Sequence, residues 1–164
     1  MKVLLWIYIV IFSIAQNCNK MNDSFITKYG KSNFNDFQEY KIFTPGFTCN
    51  NAPVFFVEKI NNPLQIRYVI ELNSDRSAIK VMRKEYIRDT IATDGIIETV
   101  EQLKLMALKF NKLNIYSIKV DENRNVFVKQ KATEQDKHIV RFSNPKNIDA
   151  NKWLLIKDNW YQEL

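Results

Sequence analysis

One stretch of this chain carries an apolar stripe over several helical turns. The other apolar residues come in short runs or in alternation, and that contrast limits the fold. Between Asp94 and Lys112, Ile96, Val100, Leu103, Ala107 and Phe110 recur at spacings of three and four, one face of an α-helix. Asp94 suits the N-cap. Asp94, Glu98 and Glu101 lie early and Lys104, Lys109 and Lys112 late, as the helix dipole favours. Leu105 falls on the polar face. By contrast, Leu64–Leu72 puts Ile66, Tyr68 and Ile70 in phase, and Ser77–Ile87 alternates. The turn cluster Asn73-Ser74-Asp75-Arg76 joins them into a hairpin.

Val54–Val57, Ile115–Val120, Val126–Lys129 and residues 138–142 read as further strands. Trp153–Ile156 and Trp160–Leu164 flank Lys157-Asp158-Asn159 as a terminal hairpin. Phe34, Phe37 and Tyr40 suggest a short helix, and Thr44-Pro45-Gly46-Phe47 a type II turn. The expectation is an α+β fold: an antiparallel β-sheet of several hairpins packed against one long mid-chain helix in a single domain.

The N-terminus has a different character. Val3–Ala15 is almost wholly apolar, follows Met1 and Lys2, and ends in Ser13-Ile14-Ala15. It is shorter than the roughly 20 residues a membrane-spanning helix needs. Charge, apolar run and small-residue exit read as a signal peptide. The expected division is residues 1–15 as signal peptide, 16–33 as a polar tether or tail, and 34–164 as the α+β domain. The expected location is exported, periplasmic or secreted.

The two cysteines then have two exclusive readings. In an oxidising compartment Cys18 and Cys49 form a disulfide contributing about 3 kcal/mol. Alternatively Cys18 is lipidated and anchors the chain to a membrane. Ala15-Gln16-Asn17-Cys18 partly resembles the exit of bacterial lipoproteins, with Asn17 departing from the small residue expected before the cysteine.

Chemistry is constrained mainly by exclusion. The three glycines, Gly30, Gly46 and Gly95, are too scattered for a phosphate-cradling loop. His138 is the single histidine, which removes HExxH-type zinc sites. Asp121-Glu122-Asn123-Arg124-Asn125 imitates the opening of a calcium loop, but Val126 replaces the glycine and Ala132 the bidentate glutamate, so it reads as a hairpin turn. Cys49 with His138 has no local signature of a nucleophile and base, and Glu98 with Glu101 lies on a solvated helix face. No catalytic residue, cofactor or metal is expected. Trp153, Trp160 and Tyr161 read as core.

The net charge of +6 suits weak attraction to anionic surfaces. The expected interaction surface is one alternating strand face bearing Lys80, Met82, Lys84, Tyr86 and Arg88, where cations keep company with a thioether and a phenol. The partner would be an unknown protein or an anionic membrane surface, not nucleic acid. The functional expectation is a small exported bacterial envelope protein, a non-enzymatic binding or structural module. The alternatives are a small periplasmic hydrolase with an unrecognised site, or an inhibitor or immunity-type protein.

Overall fold

The structure, a computed structural model, describes residues 24–48, 51–63, 65–86, 99–130, 137–146 and 148–164. The expected signal segment, Cys18, Cys49, Arg88, Asp94, Ile96 and Glu98 lie outside the described residues, and with them the expected disulfide and lipid anchor.

Among the described residues nine strands form one antiparallel sheet. They are β1 (Tyr40–Phe47), β2 (Pro53–Lys59), β3 (Ile66–Leu72), β4 (Ile79–Tyr86), β5 (Ser117–Val120), β6 (Val126–Lys129), β7 (Ile139–Arg141), β8 (Trp153–Lys157) and β9 (Trp160–Glu163). Their order is β4-β3-β2-β1-β5-β6-β7-β9-β8. Two helical segments accompany them: α1, residues 24–29, and α2, Val100–Leu113. The domain is therefore α+β, with one main helix.

Two steps break nearest-neighbour order. From β4 at one edge the chain passes through α2 and returns beside β1 as β5. From β7 it runs out to β8 at the far edge and comes back as β9. The first step places α2 on the sheet, where Phe110 meets Phe55 edge-on with ring centroids 5.2 Å apart. Leu103, Met106, Ala107 and Phe110 are buried there.

Leu103, Ala107 and Phe110 are the expected stripe; Val100 is not part of it, being 62% exposed. The reason is where the helix starts. Thr99 is extended (φ −70°, ψ 145°), and its hydroxyl accepts the Gln102 N–H at 3.3 Å. Thr99, not Asp94, is the N-cap, so Val100 is the first helical residue and Met106 takes a core position.

The expected polar tail ends earlier than residue 33. Phe25 and Ile26 of α1 are buried, and the Phe25 ring stands edge-on to Trp160 at 5.9 Å. The Tyr29 hydroxyl donates to the Lys112 carbonyl at 2.8 Å. Arg141 Nη1 donates to the carbonyls of Gly30 (3.1 Å) and Ser32 (2.9 Å), and Trp160 Nε1 to that of Gly30 at 3.3 Å. Burial pushes the Arg141 guanidinium below its ordinary pKa. Gly30 admits no side chain, because a Cβ would run into the Ile26 carbonyl oxygen. A polar average over residues 16–33 hides two adjacent large apolar side chains, one of which, Phe25, meets Trp160 near the other end of the chain.

Thr44–Phe47 is not a turn. It continues β1 through a register shift between Phe43 and Gly46. Pro45 cannot donate to the ladder, and prolines inside sheets sit at such irregularities. Phe34, Phe37 and Tyr40 are buried together, but only Asn35–Phe37 form a 3-10 turn before β1 begins at Tyr40.

Candidate anion site on the uncovered sheet face

Strand alternation sends Ile42, Phe55, Tyr68, Ile118 and Val128 toward the helices. Their sequence neighbours Lys41, Phe43, Phe56, Arg67, Lys119 and Phe127 point the other way, where no helix covers the sheet among the described residues.

The pairing register builds one row of side chains across that open face. Glu85 faces Arg67, Arg67 faces Glu58, Glu58 faces Lys41, and Lys41 faces Lys119. The signs run minus, plus, minus, plus, plus. Arg67 and Glu58 are ion-paired at 2.6 Å. At Lys41 and Lys119 the alternation fails, and two exposed ammonium groups sit on directly opposed residues, an arrangement that destabilises a strand pair. Among the described residues neither forms an ion pair with a carboxylate. Each lies over a ring instead: Lys41 Nζ is 4.8 Å from the Phe43 centroid and Lys119 Nζ 5.5 Å from that of Phe127.

A hollow of about 440 Å³ opens there, lined by Lys41, Ser117, Lys119, Phe127, His138, Trp153 and Glu163. Five strand spacings, about 24 Å in a flat sheet, separate β1 from β8. Lys41 of β1 and Trp153 of β8 nevertheless share this hollow, so the sheet curls toward its uncovered face. Trp153 and Tyr161, expected in the core, are half-buried, and both meet Phe142, at 5.4 and 5.5 Å. Trp160 alone of the three is fully buried.

The expected surface on β4 is split. Met82 pairs with Ile70 and Val81 with Glu71, but Leu72 then pairs with Ile79, leaving Lys80 as an extra residue in a bulge. Glu71 alternates with the core residues Ile70 and Leu72, and Lys80 Nζ bonds its carboxylate at 3.1 Å. Met82 packs against the core from the helix side. The bulge thus turns Lys80 and Met82 to opposite faces. Lys84 is exposed opposite buried Tyr68, Tyr86 pairs with Ile66, and Arg88 lies outside the described residues.

The calcium-loop imitation is spent on structure. Asp121 accepts the Asn125 backbone N–H at 2.8 Å and its side-chain amide at 2.9 Å, which closes the hairpin turn. Among the described residues no group of three or more His, Cys, Asp or Glu could hold a metal ion. His138 Nδ1 is 3.3 Å from Glu163 Oε2, both side chains half exposed. The lysine pair escaped sequence reading because only the register of β1 on β5 makes Lys41 and Lys119 neighbours. No family model matches this chain, and neither a curated protein nor a solved structure matches it.

Proposed function

We propose that this is an exported envelope protein acting as a non-enzymatic binding module, with an anionic ligand held at Lys41 and Lys119. The observation that carries it is the break in the row of alternating charges, at the mouth of a hollow. An anion between the two ammonium groups restores the missing negative position and relieves their repulsion. Export rests on Val3–Ala15 and the small-residue exit behind it.

Calorimetric titration with inorganic phosphate tests the site. Binding should weaken as salt rises, since exposed charges are screened within about 8 Å at physiological ionic strength. Lys41→Met with Lys119→Met should lower affinity about tenfold, or roughly 1.4 kcal/mol, and flatten the salt dependence. Binding that is unchanged in the double variant sinks the reading. For export, the intact mass of protein recovered from a bacterial envelope should correspond to a chain starting at Gln16, or at an acylated Cys18. A product retaining residues 1–15 contradicts it.

A hydrolase is the second reading, on one observation. Ser117, His138 and Glu163 line the same hollow, with the imidazole turned to the carboxylate as a base is to its orienting group. Against it, Ser117 lies on β5 and His138 at the start of β7, two strand spacings or about 10 Å apart. Among the described residues no hydrogen bond joins them. Turnover of 4-nitrophenyl acetate that disappears in Ser117→Ala would reverse the order of the two readings.

A further inference from the structure

We infer that the ligand is a small organic acid with a flat apolar ring, its charged head at Lys41 and Lys119 and its ring between Phe127 and Trp153. The inference rests on the anion site proposed above and adds the chemistry of the ligand's body.

The row across the open face changes character at Lys119. Beyond it come Phe127, Val140, Tyr161 and Leu155, with no charge. A polyanion needs cations along its whole length. Here the cations stop and aromatic surface begins, so the matching ligand is charged at one end only. The aromatic end is walled by rings, with Glu163, the cross-strand partner of Trp153, turned to the His138 imidazole at 3.3 Å beside them. Trp153 is half-buried and braced edge-on by Phe142, while Phe127 is the direct cross-strand partner of Lys119. Two such rings favour a planar body by offset or edge contact. The volume of about 440 Å³ falls within the range of small-molecule pockets. The Ser117 hydroxyl, two residues before Lys119 on β5, is a further hydrogen-bond donor for the acid head.

The test is calorimetric titration of the full chain with 1-naphthoate, inorganic phosphate, glucuronate and decanoate. The expected result is naphthoate binding at least tenfold tighter than phosphate, glucuronate or decanoate. Trp153→Ala should remove that advantage, lowering naphthoate affinity about tenfold more than phosphate affinity. Phe127→Leu, which keeps an apolar side chain in the strand, should act in the same direction and guards against a folding defect in Trp153→Ala. Lys41→Met with Lys119→Met should weaken naphthoate and phosphate together. Equal affinity for naphthoate and phosphate overturns the ring ligand while the anion site stands. Decanoate as tight as naphthoate overturns the flat ring, and retention of none of the four ends both proposals.

Discussion

Trp160→Ala should lower stability by about 3–5 kcal/mol, as truncation of a buried aromatic residue does. That is a large share of the roughly 5–15 kcal/mol holding a typical domain together. Trp160 is completely buried on β9, and its neighbours belong to three parts of the chain. Its ring meets Phe25 of α1, its Nε1 donates to Gly30, and the Arg141 guanidinium lies over it at 5.6 Å. Removing the indole opens a cavity under α1. It does not orphan the Gly30 carbonyl, which Arg141 still serves at 3.1 Å. The cost is therefore mainly lost packing, and Trp160→Phe should recover a good part of it. A fall in the urea midpoint, with faster amide exchange over residues 24–32, is the expected pair of results. An unchanged midpoint would show that α1 is not held by this residue.

Phe110→Ala should cost about as much, 3–5 kcal/mol. Phe110 is 1% exposed and closes the contact between α2 and β2 through Phe55. An aromatic pair of this geometry adds about 0.5–1.5 kcal/mol beyond its buried area. A helix of 14 residues is marginal alone in water, so α2 depends on its packed face. The control is Leu105→Ala on the same helix. Leu105 is 47% exposed, and its loss should stay within about 0.5 kcal/mol. Similar losses at both positions would mean that the helix buries a different face.

Much of the fold was legible because local patterns carry it. The turn at residues 73–78 is an instance: Asn73 Oδ1 accepts from the N–H groups of Ser77 and Ala78, and Ser77 hydrogen-bonds Asp75. Hydrogen bonds from the Ser77 hydroxyl and then its backbone N–H hold the Asp75 carboxyl below its ordinary pKa. Asn, Ser and Asp in close succession are enough to announce such a turn, because their short polar side chains bond the backbone a few residues on. Less was legible where one residue changes the phase. The extra residue Lys80 inverts the alternation of β4, and β-bulges leave little trace in a hydrophobic pattern. The same limit applied at α1, where Phe25 meets Trp160 of β9, a partner that no local window contains.

By itself the sequence determined the class of the fold, the terminal hairpin, the β3–β4 hairpin, and the buried face of α2 from Leu103 onward. Each follows from local periodicity or turn chemistry. The tertiary structure alone decided which sheet face stays open, and that Lys41 stands opposite Lys119. The physical reason is the crossover. By carrying the chain from the β4 edge back to β1, α2 covers one face of the sheet and delivers β5 beside β1. Two lysines far apart in the chain thereby become neighbours on the other face.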